Sequence, residues 1–417
     1  MKHRTKKALV LSYNFPPMLS PGTTRVLKFV KYLPKYGWEP HVLTPNNPNH
    51  KFLRYNYIDL EKEGINTNNV YRSRICNIDQ FIYKYRLHKL IPGILPDYAI
   101  GWIPFAVQKG KEIVENDNVD VIFQSVPPFT SLLAGYLLKR LTGRPWIVDL
   151  RDMWSLVNGL RKGYRKKIDL YLEWKLLKHA DCIITVSKVL AEHLMNSNKY
   201  KMPIVVIENG YDSEDYKDLQ IQHNGQFRIV YTGGFYSGTQ DPNGFFSALS
   251  NLIGRDKVRK DKLSVRIATS SHTYIKKVIG AYPLLNDVIT VLPYMPYKES
   301  LEEQINASVL LFVRGKNVES LGVCGVKLYE YLFAKRPILA LAPRNSLSAE
   351  VIERYNAGRV MAPDNISMIE DSIMFFYREY QEKGFVNCKS DSTAISQYDR
   401  YKLTGLLAEV FNDVVSI

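Results

Sequence analysis

The chain has 417 residues, 46% of them hydrophobic and 23% charged, which is too long for one ordinary core and too apolar for a disordered chain, so two globular domains are expected. Four scattered cysteines (Cys76, Cys182, Cys324, Cys388) exclude a disulfide scaffold and fit a reducing cytosol, and eight histidines with no HxxxH-type cluster give a metal site no support. The net charge of +15 lies wholly in the first half: residues 1–200 hold 31 Lys+Arg against 16 Asp+Glu, and residues 201–417 hold 25 of each. A surface so one-sided attracts a polyanion, whether nucleic acid, anionic membrane or phosphorylated substrate.

The basic start at Lys2–Lys7 is followed by an apolar run too short for a signal peptide. No window approaches the ~20 apolar residues needed to span a bilayer. Residues 7–12 read as a buried strand running into Tyr13-Asn14-Phe15-Pro16-Pro17, then a turn-rich loop. A helix is expected over about 23–36, with Val26, Phe29, Val30 and Leu33 on one face and Gly37 as its stop. Residues 38–44 read as the second strand, and this opening argues for a parallel sheet with ligands at the strands' C-terminal ends.

Residues 81–111 mix aromatic and aliphatic side chains (Phe81, Tyr85, Trp102) with bases (Lys84, Arg86, Lys89), interrupted by Pro92, Pro96 and Pro104. Such a mixture suits either a membrane interface or a buried connection. Further strands are expected over 119–125, 146–150, 182–187 and 204–207, with a helix over 129–142. A basic helix over 161–179 carries Ile168, Leu172 and Leu176 as its apolar face; its cations read as a solvated face or one turned to anionic lipid.

A polar stretch from Glu208 to Gln226 is the best domain boundary, giving domains 1–207 and 208–397. Beyond it come strands at 228–232, 263–268, 289–292, 310–313, 338–341 and 359–361. Helices are expected at 245–253, 298–307, 348–356, 368–383 and 398–415. The chain thus reads as two consecutive α/β halves, each doubly wound, facing each other across a cleft.

Two constellations carry chemistry. In residues 322–341 a Gly-containing loop opens a helix, and Lys327 and Glu330 share its first turns. Free backbone N–H groups and a lysine suit a diphosphate, and a glutamate one turn on suits a ribose diol; the alternative is an ordinary loop–helix–strand unit with a solvated ion pair. Asp149, Arg151 and Asp152 form a charged cluster at the end of a strand, where active-site residues collect; the alternative is a buried salt bridge at that strand end. Gly233 and Gly234 after the strand at 228–232 allow close approach of a ligand.

In this order several pieces resemble the family-4 (group 1) retaining glycosyltransferases of the GT-B fold, over nearly the whole chain. They are Tyr13 to Arg25, Ser125-Val-Pro-Pro128, Asp149-Leu-Arg-Asp-Met-Trp154, Ala180 to Ser187, Ile207 to Asp212, Tyr231-Thr-Gly-Gly234 and Lys327-Leu-Tyr-Glu-Tyr-Leu with Pro337. The resemblance implies that Glu330, the second glutamate of the family's E-x7-E pattern, binds the donor ribose and that Lys327 contacts the donor diphosphate. It places Gly22 in a loop over the donor phosphates, Asp149 and Asp152 in the acceptor-side wall, and the last helix (398–417) back on the first domain; the acceptor-binding candidates are Arg25, Asp149 and Arg151. The first glutamate of the pattern is replaced by Gly322, and Glu319 lies nearby.

The expected activity is transfer of a sugar, with retention, from a nucleotide-diphosphate sugar, without metal or other cofactor. Lys327 and the Gly233-Gly234 backbone would stabilise the leaving diphosphate, Asp152 would orient or deprotonate the acceptor hydroxyl, and Arg151 would hold an acceptor phosphate or pair with Asp152. The charged first half points to a lipid-linked or polysaccharide acceptor at the anionic inner face of the cell membrane, in surface-polysaccharide synthesis. The rival enzyme is a GT-B-fold nucleotide-sugar epimerase. A nucleic-acid-binding protein is the non-enzyme rival, and no DNA- or RNA-binding signature appears.

Overall fold

The computed structural model describes residues 4–19, 21–46, 54–55, 58–76, 97–152, 154, 164–197, 199–222, 225–235, 240–293, 295–315 and 321–416. The chain divides into two compact units: Met1–Glu208 with Arg400–Ile417, and Asn209–Asp399.

In the first unit apolar runs form the strands β1 (Lys6–Ser12), β2 (Trp38–Pro45), β3 (Val70–Ser73), β4 (Val121–Val126), β5 (Trp146–Leu150), β6 (Cys182–Thr185) and β7 (Ile204–Val206). They make one parallel sheet in the order β3-β2-β1-β4-β5-β6-β7. The order reverses between β1 and β4, the switch point beside which such sheets bind ligands. Helix α1 (Pro21–Tyr32) buries Val26, Leu27, Phe29 and Val30 against the sheet. Pro34 lacks the N–H an α-helix needs, so the chain tightens into a 3-10 turn over Leu33–Tyr36, and Gly37 closes it at φ 80°.

Helix α2 (Ile103–Asn116) begins inside the segment that the sequence marked for a membrane interface. Trp102 at its start is core: it is fully buried, donates its Nε1–H to Ser73 Oγ at 2.8 Å and meets the Tyr13 ring edge-on. Residues 81–96 of that segment lie outside the described residues. Then follow α3 (Leu132–Thr142), α4 (Tyr164–Leu177) and α5 (Lys188–Asn196). The last helix, α12 (Arg400–Val415), lays Leu403, Leu407 and Phe411 against Trp38 and Phe123 of this unit. Their i, i+4, i+8 spacing gives it one apolar stripe, and Leu406 faces out.

The second unit repeats the topology. Its strands are β8 (Phe227–Thr232), β9 (Leu263–Ala268), β10 (Ile289–Leu292), β11 (Val309–Val313), β12 (Ile338–Leu341) and β13 (Gly358–Met361), in the parallel order β10-β9-β8-β11-β12-β13. Alternate residues serve opposite faces, as the pleat requires. Ile229, Tyr231 and Leu311 pack with α6 (Asn243–Gly254) and α11 (Ile366–Lys383), while Val230, Leu310 and Phe312 pack with α9 (Val326–Phe333). Further helices are α7 (His272–Ile279), α8 (Tyr297–Ile305) and α10 (Leu347–Arg354), with one short turn of helix at Ser392–Ile395. Among the described residues no helix is long and apolar enough to cross a membrane.

Candidate active site

In the first unit, β4 and β5 run in register so that Ser125 stands opposite Asp149. Ser125 Oγ donates to Asp149 Oδ2 at 2.7 Å. Arg25, from α1, forks onto the same carboxylate, with Nη2 at 2.8 Å and Nε at 3.1 Å. Its remaining donors reach the carbonyls of Ile207 and Glu208, both at 2.8 Å. Both side chains of the pair are 0% exposed. Arg25 and Asp149, expected as acceptor contacts, are thus both buried, and the pair ties α1 and β5 to the chain after β7. A buried pair whose guanidinium nitrogens are all hydrogen-bonded is a structural device that breaks badly when one half is removed.

Arg151, unlike Asp149, stays half-buried. Its Nε donates to Val126 O at 3.1 Å and its Nη2 to Pro127 O at 2.6 Å, so the Ser125–Pro128 turn holds the guanidinium. The guanidinium lies against Gly22 at the start of α1, where a Cβ would fall 1.8 Å from Nη1. Gly22 is therefore glycine because Arg151 fills the space a side chain would need. Asp152 follows, also half-buried, and Trp154 stacks on Phe129 at 5.6 Å.

The second unit gathers Gly233, Gly234, Lys327 and Glu330 at the C-terminal ends of β8 and β11, the switch point of its sheet. Gly233 turns the chain at φ 119° and passes so close to Lys327 that a Cβ there would lie 2.7 Å from Nζ, two independent reasons for glycine. The Lys327 ammonium sits over the Tyr231 ring, 4.0 Å from its centroid. Burial pulls its pKa down from 10.5 to about 7; the Glu330 charge opposes that shift and the Arg314 charge adds to it. Gly234 accepts the Tyr231 hydroxyl through its carbonyl at 2.8 Å, which fixes that ring.

Glu330 is 7% exposed. Its carboxylate accepts from Tyr297 Oη at 2.9 Å and from Gln304 Nε2 at 3.3 Å. Burial beside Glu330 raises the Tyr297 phenol well above 10, so it stays a donor. Gln304 also donates to Thr232 Oγ1 at 3.1 Å, and Thr232 N–H donates to Tyr331 Oη at 3.0 Å, so the carboxylate is locked to the end of β8. Helices α8 and α9 thus build one polar wall, which the sequence reading anticipated only on α9. Arg314 was also missed. It follows β11 directly, stands close enough to Lys327 to depress its pKa, and donates to Val323 O at 2.6 Å; a base after a buried strand at a switch point was the available signal. Glu319 lies outside the described residues. Among those residues no three His, Cys, Asp or Glu side chains cluster to hold a metal.

Residues 22–215 match the model of the family described as Glycosyltransferase Family 4. No curated protein matches the sequence. Among solved structures the chain resembles the sucrose-phosphate synthase of Thermosynechococcus elongatus (TM-score 0.65, 12% identity, 99% of each chain covered). It also resembles Anabaena HepE in complex with UDP and glucose (TM-score 0.65, 15% identity, 98% of this chain and 99% of that one). A third likeness is the UDP-GlcNAc 2-epimerase of Methanocaldococcus jannaschii (TM-score 0.58, 13% identity, 98% and 99%). The fold is therefore the two-domain, Rossmann-like GT-B fold, and residues 22–215 carry a glycosyltransferase family's sequence pattern.

Proposed function

We propose that this protein is a glycosyltransferase that moves a sugar, with retention, from a nucleotide-diphosphate sugar to a lipid-linked glycan of surface-polysaccharide assembly. The observation that carries the reading is the Lys327–Glu330 wall. An ammonium lies over a ring beside a Gly turn, and a carboxylate pinned by two donors stands one helical turn away. The carboxylate suits the two hydroxyls of a ribose, and the ammonium, with Arg314, suits the diphosphate. The UDP held by HepE supports the same ligand class here.

In the reaction the anomeric C–O bond breaks and the diphosphate leaves with the electron pair. The acceptor oxygen then bonds to that carbon on the same face and gives up its proton. Cationic groups and N–H dipoles at the leaving oxygen lower the barrier most, because charge grows there. Lys327 and the Gly233-Gly234 backbone fill that role. On the first unit Arg151, held rigid by two carbonyls, meets an acceptor phosphate, and Asp152 orients or deprotonates the acceptor hydroxyl. Arg25 and Asp149 keep that loop in place without touching substrate.

Incubation with UDP-sugars alone separates this from epimerisation, which the epimerase likeness keeps in view. A transferase leaves donor configuration unchanged and yields product only with acceptor, whose anomeric signal by NMR reports retention. New donor epimer without acceptor contradicts the proposal.

A further inference from the structure

Helix α4 is built inside out. Its acidic residues, Asp169 and Glu173, are 1% and 3% exposed, whereas Ile168, Leu170 and Tyr171 are 43%, 38% and 52% exposed. The sequence reading put Ile168 on a buried stripe; the structure turns it to solvent because the two carboxylates and Leu177 take the inner face. Residues 168, 171, 175 and 178 recur at i, i+3, i+7 and i+10, so Ile168, Tyr171, Lys175 and Lys178 form one outward row. Lys175 Nζ lies 5.5 Å from the Tyr171 ring and Lys178 Nζ 4.5 Å from the Trp174 ring. Arg140, on the neighbouring α3, extends the row: it donates to Tyr136, whose ring packs 4.9 Å from that of His179.

We propose that this face of α4 docks the protein on an anionic lipid bilayer. The described part of the helix exposes no acid, and it lies in the half that carries the whole excess of positive charge. Cations interleaved with apolar and aromatic side chains match a lipid interface, where headgroup charge and acyl carbon adjoin. A nucleic acid would leave Ile168 without a partner. The inference deepens the lipid-linked reading and rests on it for its purpose: docking brings the catalytic loops to an acceptor that cannot leave the membrane.

Sedimentation with vesicles tests it, using phosphatidylcholine alone and with about 30 mol % phosphatidylglycerol. Wild type binds the anionic vesicles and not the neutral ones. Lys175→Glu/Lys178→Glu lowers partitioning at least ~30-fold, from the loss of two cations near the surface. Ile168→Ser/Tyr171→Ser lowers it about tenfold, through lost apolar insertion. Both variants keep the wild-type melting temperature and its rise with UDP. Absence of wild-type binding to anionic vesicles, or variants that bind like wild type, overturns the docking face. So does binding that ignores the Ile168/Tyr171 change while duplex DNA binds as tightly, which makes the face a nucleic-acid contact. If UDP shifts no melting temperature, the donor-site reading fails instead, whatever the vesicles show.

Discussion

Near the strand ends of the first unit, Arg25 and Asp149 are fully buried, and the guanidinium's donors are spent on one carboxylate and two carbonyls. Near the strand ends of the second unit, Lys327 rests on an aromatic face, and the Glu330 charge offsets only part of the burial of its ammonium. Glu330 is held by neutral donors, a phenol and an amide. The residue types are alike and the outcomes differ. A charge matched inside the protein stabilises the fold, whereas a cation desolvated without a matching anion is left to gain from a ligand.

Breaking the first arrangement has the largest expected effect. Arg25→Met leaves Asp149 buried and unmatched, and should cost ~3–5 kcal/mol of stability in urea unfolding, whereas Arg25→Met/Asp149→Leu recovers much of it. A loss below about 1 kcal/mol would place the pair at the surface instead.

Lys327→Ala probes the second arrangement and should behave oppositely. Losing a charge-assisted contact of ~1.5–3 kcal/mol weakens UDP binding about ten- to 150-fold by calorimetry, while the melting temperature without ligand holds or rises. Unchanged affinity would remove Lys327 from the site. The smallest effect sharpens the role of Glu330. Tyr297→Phe deletes one of two donors on the Glu330 carboxylate and reaches the ligand only through that side chain, so it should weaken UDP a few-fold, with inorganic diphosphate binding unaffected. An equal loss for both ligands would mean that the wall had collapsed.

Most of the sheet architecture was legible because buried parallel strands are apolar runs, as in Val309–Val313 and Ile338–Leu341. The strand Val70–Ser73 escaped because Tyr71 and Arg72 interrupt its apolar pattern at the sheet edge. Lys327 and Glu330 were legible through their spacing on one helix. Tyr297 and Gln304 were not, since their contact with Glu330 spans 33 and 26 residues of sequence. Burial of Arg25 was likewise invisible: its partners lie 124, 182 and 183 residues away. On α4 the periodicity misled, because buried Asp169 and Glu173 reverse the usual rule that carboxylates face out.

The account turns on Lys327 waiting, half-deprotonated near neutrality, for an anion. Its pKa of about 7 lies below the unfolded value of 10.5, so between those two pH values the folded protein holds fewer protons than the unfolded chain. Its destabilising charge is present below that window and relieved as pH rises through it. A bound diphosphate raises the pKa again, so binding draws in a proton. Calorimetric titration of UDP at pH 8, in two buffers of different ionisation enthalpy, measures this directly. The account predicts uptake of close to one proton, ~0.9 for a group of that pKa, by wild type and none through this site in Lys327→Ala. Equal proton counts in the two proteins would contradict it.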